Sequence, residues 1–300
     1  MRYILLLTVA FSIVSCNSSQ KAEELHVNKG RITVAADESF KHIVDAQVAA
    51  YKAHYPETEF DVIYTPEQKA IGLMLSDSAE LAVVSRELTA EEQKYFTSRQ
   101  LEYLPGRMAW DAVVLIVNKE NPLEKITTSS IKEILEGENT ERKLVFDNSS
   151  SSNLNFLLNY FNPQNLYREN IFAANGTLDV FNYIEKNKKA IGVIGMNWIS
   201  DEDHKESREL RERVKILSVG ETLETVYQPT LSTVRKSEYP FIKTVYLHTT
   251  QHRWGVAKGF VRFACSQIGQ LVVEKMGLQP FYLIPKKYQM FDSKEIVTTE

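Results

Sequence analysis

Three hundred residues, 43% of them hydrophobic and 10% aromatic, are enough to build the cores of two domains, and a formal charge of -4 without a lysine/arginine cluster argues against a nucleic-acid surface. The chain has two cysteines and carries no zinc-type spacing, Walker loop, G-x-G-x-x-G element or internal repeat, so no metal, cofactor or nucleotide is expected.

Arg2 precedes an apolar run over residues 3–14, too short to span a bilayer as a helix but suited to a secretory signal. The run ends Ile13-Val14-Ser15-Cys16. Small residues before a cysteine resemble the bacterial lipobox, and the resemblance implies cleavage before Cys16 and diacylation of its thiol. Residues 1–15 are then a signal peptide and 16–29 a lipidated tether. Cleavage removes one arginine, moving the formal charge from -4 to about -5. Cys265, in an apolar segment, is expected to be a small buried thiol; with Cys16 lipidated, no intrachain disulfide is expected.

Residues 31–36 predict a strand, Phe40, Ile43, Val44, Val48 and Tyr51 recur at helical spacing until Pro56, and 60–64 alternate as a second strand. This order predicts a parallel βαβ unit. Between its first strand and helix lies Asp37-Glu38-Ser39, where open α/β sheets place ligands. Ser39 or a neighbouring N–H is a candidate anion donor there, or simply a helix cap. A helix over 68–75 and a strand over 81–84 lead to Ser85 and Arg86, whose guanidinium fork suits a tetrahedral oxyanion or an ion pair with Glu87 or Glu91. After a helix over 89–100, residues 108–117 are long, apolar and β-branched. Extended, they reach about 33 Å, long enough to pass from one lobe into another, and they are read as a hinge crossing that ends in a turn at 118–122.

Beyond the crossing the alternation repeats. Ile131, Ile134 and Leu135 predict a helix closed by Gly137. Leu144, Val145 and Phe146 then read as a short buried strand, and Leu154, Leu157, Leu158 and Phe161 recur at helical spacing, so Ser149, Ser150, Ser151 and Ser152 stand at a strand-to-helix junction. At such a junction the first helical N–H groups lack partners, the helix dipole is positive, and hydroxyls cap or donate. That is the chemistry of an oxyanion cradle; the alternative is a solvated turn with one cap. Leu178, Phe181, Tyr183 and Ile184 mark another helix and 190–194 a strand. Residues 201–213, mixed in sign and almost without apolar side chains, are read as a solvated loop or helix face carrying no site. A strand over 214–219 follows, a second extended piece over 239–247 brings the chain home, and helices over 259–265 and 269–276 close it.

Several of these pieces resemble one family, the periplasmic substrate-binding proteins of phosphate ABC importers. They are Ala82-Val83-Val84-Ser85-Arg86-Glu87-Leu88, the crossing at 111–127, the serine segment in the place of that family's glycine-serine loop, and the stretches 190–199, 239–249 and 259–281. The resemblance implies an α/β, two-lobed type II periplasmic-binding-protein fold, each lobe a mostly parallel sheet flanked by helices, joined by two crossing strands. Lobe 1 would comprise 30–110 with 246–300 and lobe 2 residues 111–245, with a tetrahedral anion between them. It also implies donors at Glu38, Ser39 and Phe40, at Ser85 and Arg86, and along the serine loop at Ser150, Ser151 and Ser152, with Ser149 beside them. There are departures. The arginine that commonly precedes the family's loop is Phe146 or Asp147 here, its glycines are serines, and the first loop carries Asp37-Glu38 where small residues are usual. Two acids about 4 Å from a dianion would cost roughly 1–4 kcal/mol each. Asp37, Asp111 or Asp147 is a candidate acceptor for the proton of a protonated phosphate, a bond sulfate cannot donate, although for each acid taken singly the leading reading is a turn or cap acid.

The function expected is a monomeric, lipid-anchored solute-binding protein of the periplasm or cell envelope that captures inorganic phosphate and passes it to an ABC permease, with no chemistry of its own. A sensor or accessory protein for another oxyanion is the first alternative. A serine hydrolase or phosphatase is the second, but none of His26, His42, His54, His204, His248 and His252 is placed by the pattern beside the serines, and no G-x-S-x-G element is present.

Overall fold

The computed structural model describes residues 25–283; the signal segment, Cys16 and most of the expected tether lie outside them. The chain enters as β1 (Lys29–Asp37), whose second half is buried, as expected for a strand covered on both faces. A 3-10 turn, Glu38–Phe40, leads into α1 (Lys41–His54), which buries Ile43, Val44 and Tyr51, and the chain returns as β2 (Glu57–Thr65). Next come α2 (Glu67–Leu75), β3 (Leu81–Val84) and α3 (Ala90–Ser98), the last opened by a reciprocal cap between Thr89 and Glu92. Both β2 and β3 run parallel to β1, so the predicted βαβ units are present.

The long apolar run is β4 (Gly106–Asn118). Past it lie β5 (Lys125–Thr127) and α4 (Thr128–Glu136), which ends at Gly137 with φ of +84°, a left-handed cap that glycine adopts without a Cβ clash. The serine segment joins β6 (Lys143–Phe146) to α5 (Ser152–Phe161). The chain continues through β7 (Ile171–Ala173), α6 (Thr177–Lys186) and β8 (Ala190–Gly195). The mixed-sign stretch forms α7 (Lys205–Arg213), a helix with Ser207 and Leu210 buried, followed by the short β9 (Val214–Ile216), β10 (Ser218–Gly220), β11 (Val226–Tyr227) and α8 (Leu231–Arg235). The return strand is β12 (Ile242–Thr249), and α9 (Val256–Ala264), α10 (Gln267–Lys275) and β13 (Gln279–Pro280) complete the described chain.

One path of paired strands runs β2-β1-β3-β12-β4-β8-β6-β7. Strands that stay within one half are parallel, β1 with β2 and β3, and β6 with β7 and β8. The middle is antiparallel, because β12 and β4 carry the chain in opposite directions: β12 runs against both β3 and β4, and β4 against β8. The partners of β4 change within the strand. Residues 106–112 pair with β12, and from Val113 onward the partner is β8, with β9 joining at the far end. A single apolar cluster extends from Ile32 and Tyr51 on one side through β4 to Leu157 and Phe181 on the other. The loops that end β1, β6 and β8 therefore face one another across the seam. Cys265 is half buried on this scaffold, and burial pushes its thiol pKa up to about 11, which suits a packing role.

Candidate functional site

At the end of β1, Asp37 Oδ1 accepts from the Ser39 N–H at 2.8 Å, closing the 3-10 turn and aiming the Ser39 hydroxyl across the seam. From the other half, α5 begins with Ser151 as its N-cap: its Oγ accepts from the N–H groups of Asn153 and Leu154 and donates to Asp147. This leaves Ser152 on the first turn, where its Oγ lies 3.1 Å from Ser39 Oγ. Residues 113 apart in sequence thus bring two hydroxyls into contact, both fully buried.

Lys243, on β12, lies between them. Its Nζ donates to Asn153 Oδ1 at 2.6 Å and Ser39 Oγ at 3.3 Å, reaches Ser152 Oγ at 3.5 Å, and stands 4.4 Å over the ring of Phe40. The residue is 3% exposed, so its charge requires partners. Asn197, just after β8, fastens the same seam. Its Nδ2 donates to the Ser39 carbonyl at 2.6 Å and to Asp111 Oδ2 at 3.1 Å, while its N–H reaches Asp111 Oδ1. Gly195 leaves the room for this: a Cβ there would lie 2.8 Å from Asn197 Nδ2 and 3.0 Å from both Asp111 Oδ2 and the Ser39 carbonyl. Glu38 makes a second tie, accepting from the Thr177 N–H at 3.1 Å and its hydroxyl at 3.0 Å, at the positive end of α6.

The acids crowding this seam are tuned by burial. Burial raises Asp111 above the ordinary carboxylate range against the pull of Lys243. Asp147 is pushed up to about 7, chiefly by burial and then by the charge of Asp37, against the hydroxyl of Ser151. A carboxyl held in its protonated form donates a hydrogen bond instead of repelling an anion. Among the described residues of this seam, three buried side-chain atoms have no hydrogen-bond partner: the acceptors Asp37 Oδ2 and Asn197 Oδ1 and the donor Asn153 Nδ2.

The structure thus gathers Ser39, Phe40, Ser151 and Ser152 of the expected residues at one locus, with Glu38 as a tie between the halves. It leaves out Ser149 and Ser150, exposed on the turn, where the Ser150 N–H closes onto Asn148 Oδ1. Ser85 faces Glu67, donating to its Oε1 through N–H and hydroxyl at 2.7 and 2.6 Å. The Arg86 fork is engaged by both carboxylate oxygens of Glu92 at 2.8 and 2.9 Å and by Gln68. An ion pair is one of the two readings of Arg86; its partners are Glu92 and, at 3.6 Å, Glu67 rather than Glu87 or Glu91. Lys243, Asn153 and Asn197 were not anticipated. The signal for Lys243 was available: on β12 it shares a face with Val245 and Leu247, so strand alternation directs it inward. Ser151 donates a hydrogen bond to Asp147 while capping α5, and the shortest bond of Lys243 goes to Asn153.

The model of the PBP superfamily domain matches residues 22–267. The chain belongs to the PBP superfamily. Similar PBP-superfamily proteins include the phosphate-binding protein PstS of Staphylococcus saprophyticus, 24% identical over 228 residues, which are 71% of this chain and 67% of that one. PstS of Borreliella burgdorferi is 22% identical over 270 residues, covering 83% of this chain and 90% of its own. PstS 2 of Streptococcus pneumoniae aligns over 37% of this chain and 36% of its own, at 25% identity. Among solved structures, a Clostridium perfringens substrate-binding protein with bound phosphate superposes with a TM-score of 0.69 at 19% identity, covering 84% of this chain and all of that one. An ABC-type phosphate transport receptor of Vibrio cholerae gives 0.62 at 19% identity, covering 83% and 99%. At these identities the structural likeness establishes the PBP fold, two halves joined through crossing strands.

Proposed function

We propose that this chain is a lipid-anchored solute-binding protein of the cell envelope that captures inorganic phosphate between its two lobes and delivers it to an ABC permease. The names of the similar proteins support phosphate. Within this chain the supporting observation is the convergence of Ser39, Ser152 and Asn153, from opposite lobes, on Lys243. An anion entering there would exchange these mutual bonds for bonds to itself, with the first N–H groups of α5 close by. The lobes are taken as 30–110 with 246–300, and 111–245. The change of β4 partners after Ala112 supports the first joint, and the pairing of Ile242 with Ala112 supports a second joint close to the start of β12. Capture is then closure about that joint, with no covalent step.

A second reading keeps the fold and changes the ligand to another oxyanion in a sensor or accessory protein. It is favoured by one observation, the commitment of the Arg86 fork to Glu92. Isothermal titration of the purified chain against phosphate, sulfate, molybdate and a phosphonate at pH 7 separates the two. Phosphate binding that weakens at least tenfold in Lys243→Met supports the first reading. Binding of another oxyanion alone supports the second, and binding of none overturns both. Anchoring is tested separately: the wild type should sediment with membranes and Cys16→Ser should not, and a wild type found wholly in the soluble fraction refutes the anchor.

A further inference from the structure

The first turns of α1 and α7 bring together a second group of convergent polar atoms, distinct from the serine cluster. His42 belongs to the first turn of α1, whereas His204 caps α7 and Glu206 lies in its first turn. One ligand atom from each of the three residues lies within 4.8 Å of the others, and His42 Nε2 is 3.5 Å from Glu206 Oε2. Donors bound at about 2.0–2.2 Å around a tetrahedral ion stand roughly 3.3–3.6 Å apart, so this last pair already has the spacing of two ligands. His204 and Glu206 are exposed and closing 4.8 Å to that spacing needs only their side chains to swing.

Two further observations point to a ligand. His42 is 6% exposed, yet its Nε2 is a buried atom with no hydrogen-bond partner. The residue lines a pocket of about 450 Å³ together with both exposed partners, Asp45 and Asp201. The second concerns the other ring nitrogens. His42 Nδ1 and His204 Nδ1 each lie 3.3 Å from the hydroxyl of Ser207, which is fully buried. A hydroxyl oxygen has two lone pairs and can accept from both Nδ1–H groups, a tautomer choice that leaves both Nε2 atoms with free lone pairs. Ring nitrogens fixed from behind by a hydrogen-bond acceptor are the usual support of metal-binding histidines. The ring of Trp198, 4.4 Å from that of His42, walls the buried side.

We propose that His42, His204 and Glu206 form a site for a first-row divalent transition-metal ion, zinc being the best match to two imidazoles and one carboxylate, with water from the pocket completing a tetrahedron. The site joins the lobes. His42 belongs to the half built on β1 and the other two ligands to the half built on β8 and β9, so an ion bound by all three holds the closed arrangement and is lost when the lobes part. The cations that line the pocket are already paired, Lys41 with Asp45 at 2.5 Å and Lys275 with Asp203 at 3.5 Å, so neither stands as an uncompensated charge against the ion.

The test uses the purified chain without a polyhistidine tag, freed of metal with a chelator and dialysed against zinc, with bound metal counted by mass spectrometry. One equivalent per chain is expected, with a dissociation constant in the micromolar range or tighter. His204→Ala and Glu206→Gln, both exposed and unable to disturb the core, should each weaken binding at least tenfold, and the double variant should abolish stoichiometric uptake. Small-angle scattering should show the radius of gyration falling when zinc is added to the wild type and unchanged in the double variant. No uptake by the wild type, or full uptake by the double variant, overturns the site; uptake without compaction overturns the joining of the lobes.

Discussion

Lys243 and Asp147 determine how the seam responds to substitution and to pH. Removing one member of a buried charge cluster strands the others, so Lys243→Met should cost about 3–5 kcal/mol of stability besides its effect on binding. In the folded chain Asp147 titrates near 7, above the ordinary carboxylate range, so the folded state keeps a proton that the unfolded chain gives up at lower pH. The stabilising contribution of that proton is complete at about pH 4 and is lost as pH rises through 7, roughly 3 kcal/mol between pH 5 and 8. Asp147→Asn should flatten that limb of the stability profile in urea titrations at the two pH values, and an unchanged slope would count against this origin. Within the serine run the residues should separate. Ser152→Ala should lose about 0.5–1.5 kcal/mol of oxyanion binding, one neutral hydrogen bond, while Ser149→Ala on the exposed turn should lose none. Sequence pattern located this junction correctly. It could not say which two of four identical side chains turn inward, because that depends on where the Ser151 cap forms.

Among the elements, the loop after β3 shows why a strand end legible in sequence does not make a binding residue. The Leu88 N–H donates to Tyr103 Oη at 2.9 Å, that hydroxyl meets His248 Nδ1 at 3.2 Å, and His248 Nε2 donates to the Arg86 carbonyl at 2.9 Å. This chain of bonds and the pairing of Arg86 with Glu92 tie the loop to β12 and α3. Burial lowers the His248 pKa to about 4, so the contribution of its neutral ring is complete above about pH 6.5 and is lost as pH falls toward 4. Tyr103→Phe leaves Leu88 N–H and His248 Nδ1 without their partner and should cost about 1–3 kcal/mol by chemical denaturation, with faster amide exchange confined to residues 85–88. The glycine that ends β8 makes the complementary case. Gly195→Ala presses a methyl into Asn197, Asp111 and the Ser39 carbonyl at once and should cost about 1–3 kcal/mol, with the loss felt across the seam rather than within the strand. Period-2 and period-3.6 patterns placed most helices and strands, and α7 was left open between loop and helix because its few buried residues, Ser207 and Leu210, are too sparse to give an apolar stripe.

Across the whole molecule, Glu38 and Thr177 bind one half to the other without touching the central cluster. Glu38→Ala removes a carboxylate from the N-terminus of α6, a change of about 1.5–3 kcal/mol for a charge-assisted bond, and should weaken ligand binding roughly ten- to hundredfold by depopulating the closed form. Restored affinity in a variant cross-linked shut would confirm that route, and wild-type affinity in Glu38→Ala would refute it. The long strand β4 was readable from its apolar, β-branched run, and the two-lobed plan from the resemblance to the substrate-binding family. The electrostatic balance of the seam was not, because it depends on three acids and a lysine drawn together from β1, β4, β6 and β12. The position of β12 also sets the order in which the molecule can be assembled. It lies between β3 and β4, pairing Leu247 with Val83 on one side and with Gly106 on the other, so two strands adjacent in sequence wait for a third made well over a hundred residues later. A nascent chain that has reached residue 240 lacks both later strands that pair with the first part of β4, β12 and β13, and exposes the unpaired edges of β3 and β4 there. These long-range pairings raise the contact order of the first half and leave its middle open to chaperones until β12 is made. A fragment ending at residue 240 should therefore remain protease-sensitive and aggregate, whereas one extended through residue 283 should fold in a single cooperative step.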